Sequence, residues 1–306
     1  MKEYYKYEEL GITVVKKLNK RKIAILISIF IILDVLLIYV FTVNQKMKKI
    51  AIENEKQISS GESEIKEDNE QKVQEDENEK ENKTRLPQLT EIGKEKINNI
   101  YKSDEKIAYL TFDDGPSSKV TPQILKILDD YNIKATFFLL GKNVERYPEL
   151  VKEEYEKGHY LANHGYTHEY AEIYSSAESI IDEYNKTEQT IKDALGIQEY
   201  SSHLFRYPGG TGGSKYREVK DKAKQLLAES NVLYINWNAL TNDSVGKPTA
   251  ESIVKNLKDT VGEKNSVVIL MHDAAAKQLT ADTLPEIIDY LIEKGYSFRN
   301  FYDIVM

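Results

Sequence analysis

The rhythm of residues 104–306 constrains this chain more than any other feature. Short runs rich in β-branched and aromatic residues alternate there with amphipathic helical stretches. The predicted strands are 107–112, 135–139, 159–163, 204–207, 232–237, 267–271 and 296–298. Between them lie patterns such as TPQILKILDDY, in which Ile124, Leu125, Ile127 and Leu128 share one helical face. Parallel strands need long crossovers and helices supply them, so the alternation specifies an α/β fold with a mainly parallel sheet or barrel. Seven βα units in this length suit one small barrel, with no second folded domain.

Four polar clusters close four of these strands: TFDDG the first, NHGYTH the third, FRYPGG the fourth and LMHD the sixth. In parallel βα folds the carboxyl ends of the strands share a face, so clusters placed there converge in space. His164 and His168 are four residues apart, a spacing at which two imidazoles on one turn can grip one ion. Of five histidines, three (His164, His168 and His272) stand at strand ends. With a carboxylate from TFDDG the set becomes two imidazoles and one Asp, leaving coordination positions open for water and substrate. An ion held this way lowers the pKa of bound water from about 15.7 toward 7 and polarises a carbonyl.

Successive residues at a strand end point different ways. Of Asp113 and Asp114, one can therefore bind metal while the other faces the water. Arg206, ahead of a Pro-Gly-Gly turn, can pair with a catalytic carboxylate and hold it ionised. His272 suits a general acid that protonates a leaving amine. His159 reads as a packing residue, and His203 has no assigned part. Each motif alone has a blander reading: a chance histidine pair, a structural Asp-Asp-Gly turn, a surface arginine. Their shared placement at strand ends is what sets those readings aside.

The N-terminal third is of another kind. Residues 23–43, IAILISIFIILDVLLIYVFTV, form an apolar run long enough to cross a bilayer. Asp34 is the one charge in it and costs roughly 2.5–3.5 kcal/mol on insertion, which the Ile and Leu residues offset. A cleavable signal core is shorter and ends at small residues, and the following FTVNQKMKK offers no such site. The basic excess on the N-terminal flank keeps residues 1–22 in the cytoplasm and sends everything after Val43 outward. The expected protein is single-pass in the cell membrane, with its folded domain extracellular. Residues 44–103, rich in Glu, Lys, Asn and Gln, read as a disordered charged stalk.

Between Glu53 and Glu81, twelve acidic residues against four lysines give a net −8, equal to the charge of the whole chain. The remainder is therefore near neutral and carries no basic patch, so nucleic acid is not an expected partner. The absence of cysteine excludes disulfides, thiolate ligands and a cysteine nucleophile. The oligomeric state is left open.

In this order, TFDDGP, H-x-x-x-H after Asn163, R-x-P-x-G and L-x-H resemble the polysaccharide deacetylases with the NodB-type domain, carbohydrate esterase family 4. The resemblance covers about residues 104–306 and implies a distorted (β/α)7 barrel. It implies that Asp113 is the general base and that Asp114, His164 and His168 bind one divalent metal ion, normally Zn2+. Arg206 would orient the base, the backbone N–H of Gly209 would donate to the oxyanion, Leu270 would wall the acetyl pocket, and His272 would be the acid. The implied reaction is attack of water on an acetamide carbonyl, releasing acetate and a free amine.

Three departures stand out. Gly165 follows the first histidine where Ser or Thr is usual, which removes a hydrogen bond that supports the loop. The family's D-x-x-D-W motif aligns with LTNDS at 240–244. Asp243 keeps the carboxylate that tunes the acid histidine, while Leu240 and Ser244 replace the first Asp and the Trp and so alter one wall of the groove. An outward-facing domain makes a cell-wall glycan the expected partner, with peptidoglycan N-acetylglucosamine or N-acetylmuramic acid leading. The rivals are a poly-N-acetylglucosamine or chitin-like polymer, a catalytically silent glycan-binding module, and a metallopeptidase. A silent relative is expected to lose base or acid, yet Asp113 and His272 are both present, and no peptide-pocket signature stands out.

Overall fold

Strand β1 (Ile107–Asp113) is buried along its whole length, because both of its faces are covered. Ala108, Leu110 and Phe112 pack into the cluster shared with the outer helices, while Ile107 and Tyr109 join the cluster in the barrel interior. This is the period-two alternation of a strand with two apolar faces. The computed structural model describes residues 86–305.

On one side β1 pairs with β7 (Ser266–His272) over its full length. On the other it pairs with β8 (Ser297–Phe298) at its start and β2 (Thr136–Leu139) at its end. With β3 (Tyr160–Asn163), β4 (Leu204–Phe205), β5 (Leu233–Tyr234) and β6 (Ala239–Leu240), the order is β5-β4-β3-β2-β1-β7-β6, every pair parallel. The edge strands β5 and β6 are separated by residues 235–238 alone, so the chain steps directly from one sheet edge to the other. The result is the expected α/β barrel, incompletely closed.

The stretch 232–237, expected as one strand, is thus a two-residue strand followed by a crossing, and β6 is an additional strand. The crossing is held by a side chain that imitates strand pairing. Asn238 Nδ2 donates to the Ser266 carbonyl and its Oδ1 accepts from Val268 N–H, both at 2.8 Å.

The helices are α1 (Glu91–Asn98), α2 (Thr121–Asp130), α3 (Gly141–Arg146), α4 (Pro148–Glu156), α5 (Tyr170–Ile173), α6 (Ala177–Leu195), α7 (Arg217–Glu229), α8 (Ala250–Val261) and α9 (Gln278–Glu293). Local chemistry sets their ends. Ser176 caps α6 by accepting from Ser179 N–H at 3.0 Å, and Gly196 stops it with φ 70°. Thr249 and Ser252 form a capping box at the start of α8.

The folded domain begins earlier than residue 104. Residues 86–103, read from composition as the end of the stalk, carry α1 and pack onto the barrel. Leu89, Ile97 and Ile100 are buried in the interior cluster with Tyr109 and Phe301, and Gln88 N–H donates to Val305 O at 2.8 Å. The charge of this segment hides a narrow apolar stripe, enough to bury one face once a partner surface exists. The predicted cytoplasmic residues 1–22, the transmembrane helix 23–43 and the rest of the stalk lie outside the described residues. Among the described residues no helix is long and apolar enough to cross a membrane.

Candidate active site

Every predicted site residue sits at the carboxyl end of the sheet, where β1, β3, β4, β6 and β7 finish. Asp113 ends β1 on its inward face, two residues beyond Thr111. Arg206, just after β4, is fully buried, not a surface residue. Its Nη1 donates to Asp113 Oδ1 and Thr111 Oγ1, each at 2.7 Å. Its Nε and Nη2 donate to the carbonyls of Ile235 and Asn236, each at 3.3 Å. Burial pushes the Asp113 carboxyl above its usual range, and the Arg206 charge and then His272 pull it part of the way back.

Asp114 is the first residue past β1 and takes φ 73°, a left-handed turn that suits Asp better than most side chains. The turn carries its carboxylate to the barrel mouth. Oδ1 lies 3.5 Å from His164 Nε2 and 3.4 Å from His168 Nε2. This oxygen is buried and has no hydrogen-bond partner. The next position has to be glycine, since a Cβ on Gly115 would stand 2.1 Å from the Asp273 carboxylate.

His164 follows β3 and is buried. Its Nδ1 lies 2.7 Å from the Arg206 carbonyl oxygen. That oxygen can only accept, so the ring proton sits on Nδ1 and Nε2 presents its lone pair. Burial lowers the His164 pKa to about 3 against the pull of Asp114, keeping the ring neutral. Asp114, His164 and His168 each offer an atom within 4.8 Å of the others. An orphaned carboxylate oxygen facing two imidazole nitrogens fits a divalent cation with a preference for N and O donors.

The loop support expected to vanish with Gly165 comes from elsewhere. Glu183 of α6 accepts from Tyr166 N–H at 2.6 Å and Thr167 N–H at 2.7 Å through Oε2, and from Thr167 Oγ1 at 2.9 Å through Oε1. Asn163 Oδ1 accepts from Gly165 N–H at 3.0 Å. Glu183 lies in the middle of an ordinary amphipathic helix, where a glutamate has no distinguishing mark.

His272 ends β7 opposite Asp113 in the register. Its Nδ1 lies 2.8 Å from Asp243 Oδ1, and Asp243 Oδ2 accepts from His272 N–H and Thr280 Oγ1 at 2.8 Å each. Burial alone would lower the His272 pKa. The hydrogen bond and charge of Asp243, with Asp113 and Asp114 behind, outweigh it and raise the value to about 9.

Asp113, Asp114, His164, His168, Asp243 and His272 line one cavity of about 320 Å³, together with Gly209, Leu270, Leu240 and Ser244, while Arg206 lies behind Asp113. Tyr170 and Trp237 line it too and were not foreseen. Tyr170 comes just after the histidine motif. Trp237 is the only tryptophan in the chain and lines the same cavity as Ser244. His159 is buried, accepts from Ala135 N–H at 3.1 Å and meets Phe137 edge-on, as a packing residue does. His203 bonds the Asn231 carbonyl at 3.0 Å and does not line the cavity.

Comparison with known proteins points to one family. The polysaccharide deacetylase family matches residues 101–228. A peptidoglycan-N-acetylglucosamine deacetylase of Bacillus cereus is 33% identical over 205 residues, covering 65% of this chain and 71% of that protein. A CE4 esterase of Streptococcus mutans superposes with a TM-score of 0.63 at 28% identity, over 72% of this chain and 93% of that one. The catalytic domain of a peptidoglycan N-acetylglucosamine deacetylase from Eubacterium rectale gives 0.58 at 33% identity, over 65% and 90%.

Proposed function

The chain belongs to the polysaccharide deacetylase family, and from that premise we propose that it removes N-acetyl groups from peptidoglycan by a metal-dependent hydrolysis. The observation that carries this reading is the convergence of Asp113, Asp114, His164, His168 and His272 on one cavity. Asp114, His164 and His168 would hold the cation, with Zn2+ the simplest choice for this donor set. When bound, it supplies Lewis acidity, making a water more acidic and the acetamide carbonyl more electrophilic.

The remaining work falls to side chains and backbone. Asp113 takes the proton of the attacking water; Arg206 orients it, and burial strengthens it as a base. The N–H of Gly209 is bonded to no described residue and is free to donate to the carbonyl oxygen as charge builds there. His272, protonated below about pH 9, gives a proton to the sugar nitrogen as the C–N bond breaks. The water oxygen ends on the acyl carbon, so the products are acetate and a free amine. Leu240 and Leu270, paired in register, face the methyl group with Trp237.

Peptidoglycan is favoured because relatives of the same domain are named for its N-acetylglucosamine, and N-acetylmuramic acid is the companion sugar in that polymer. We read residues 23–43 as a membrane anchor and the charged segment after it as a spacer, which would hold the domain outside the cell beside the wall. The test is to load the full chain with zinc and incubate it with purified peptidoglycan and, separately, with N-acetylglucosamine oligomers, measuring acetate and new amines. Release from peptidoglycan is the expected result. Release from the oligomers alone moves the substrate to a poly-N-acetylglucosamine or chitin-like polymer. No release from either, with metal bound, makes the domain a silent glycan-binding module.

A further inference from the structure

Helix α5 follows His168 within two residues, and both of its ends reach the turn that carries Gly209. At its start, the Tyr170 hydroxyl fills the space a side chain on Gly209 would need, 2.2 Å from an ideal Cβ. At its end, the buried Tyr174 hydroxyl donates to the Pro208 carbonyl at 2.6 Å. The two rings meet edge to face, 5.5 Å apart. From the other side Lys220, also buried, donates to the Gly210 carbonyl at 2.6 Å. Its ammonium lies 4.3 Å from the Tyr174 ring centre. Buried donors thus pin the carbonyls of Pro208 and Gly210, while the N–H of Gly209 is left unbonded.

The Pro208 carbonyl and the Gly209 N–H belong to one peptide unit. In a planar trans peptide these groups point in opposite directions, so fixing one aims the other. A hydrogen bond to the carbonyl also polarises the unit and strengthens the N–H as a donor. Gly209 takes φ 71° within a Pro-Gly-Gly turn, where glycine freedom would otherwise let that plane swing.

We propose that Tyr174 is a positioning residue: through the Pro208 carbonyl, its hydroxyl aims the Gly209 N–H at the oxyanion. The inference rests on the deacetylase reading above. A tyrosine that merely satisfies a buried carbonyl would affect stability and leave the chemistry unchanged, so the test has to separate the two.

The experiment compares Tyr174→Phe with the wild type, both as full zinc-loaded chains, on soluble peptidoglycan fragments. The expected result is a fall in kcat on the order of 10–100-fold, part of what losing an oxyanion donor outright costs. KM and zinc content stay within about twofold, and affinity for a tetrahedral phosphonate mimic of the acetamide falls in step with kcat/KM. An unchanged kcat with a lower melting temperature, or a change in KM alone, overturns the proposal. Should Tyr174→Phe not fold, 3-fluorotyrosine at position 174 keeps the ring and strengthens the donor. A raised kcat then supports the proposal and an unchanged one overturns it. A wild-type chain that releases no acetate overturns the deacetylase reading and this assignment with it, whereas an active wild type beside an equally active variant removes the assignment alone.

Discussion

Asp243 holds His272 twice, once at the ring, with Oδ1 2.8 Å from Nδ1, and once at the backbone, where Oδ2 accepts the His272 N–H at 2.8 Å. Ring and main chain are therefore fixed by one carboxylate, leaving Nε2 as the only ring position free to give a proton. The same contact raises the His272 pKa from 6.5 to about 9 despite its burial.

A pH prediction follows with a definite sign. His272 has to be protonated to act as the acid, so activity should fall as pH rises through about 9. Asp243→Asn removes the charge and should move that alkaline limb down by roughly 1–2 pH units. A kcat/KM profile of both proteins checks this, and an unmoved limb would take Asp243 out of the role. Stability gives a second reading. A pKa raised by folding contributes stability that is fully present below the unfolded value near 6.5 and is lost as pH rises through about 9. Asp243→Asn should therefore lower the melting temperature more at pH 6 than at pH 10.

Asp113 sits beside the three candidate ligands without being one of them. Asp113→Asn keeps an oxygen for Arg206 but gives up the proton acceptor. Acetate release should drop about 10²–10⁴-fold, with zinc content per chain unchanged by elemental analysis. Full activity in that variant would remove Asp113 as the base.

The unpartnered Asp114 oxygen and the two imidazoles predict that metal stabilises the fold. At a free zinc concentration about 100-fold above Kd the gain is about 2.7 kcal/mol, or some 5–11 °C in Tm for a domain of this size. His168→Ala should abolish this shift, and a chelator should reverse it in the wild type. Differential scanning calorimetry with and without zinc decides the matter.

Glu183 anchors the loop between the two histidines through three hydrogen bonds. Glu183→Ala should weaken zinc binding by about 10–100-fold, the usual cost of losing a group that orients ligands. Competition with a chromogenic chelator measures it. Equal affinity would show that the bonds from Asn163, Gly141 and Lys142 hold the loop without Glu183.

Much of this site could be read from sequence because chemistry at strand ends leaves short, ordered motifs. Asp113, Asp114, His164, Arg206 and His272 each sit within one residue of a strand terminus, with His168 five residues after β3, and parallel topology brings such positions together. Glu183, Thr280 and Tyr174 were invisible because they act from helices or helix ends, where polar and aromatic residues are ordinary. The crossing at 235–238 was missed because a β-rich run gives no sign of which sheet edge it will join. Helix α1 was missed because its few apolar residues lie in a strongly charged background.

Leu89, Ile97 and Ile100 are buried in the barrel interior with Tyr109 and Phe301. Ile97→Ala removes buried methyl groups from a packed site and should cost about 2–5 kcal/mol. For a domain of this size that is a drop of about 4–20 °C in Tm. A chain trimmed to begin at residue 104 loses the whole segment and should be less stable still. Because Ile97 does not line the cavity, the kcat of folded Ile97→Ala at 25 °C should match the wild type. Paired thermal melts and acetate assays check both halves. A trimmed chain from residue 104 that melts with the intact protein would show that α1 adds nothing to the fold, and the interior cluster would then have to close without it.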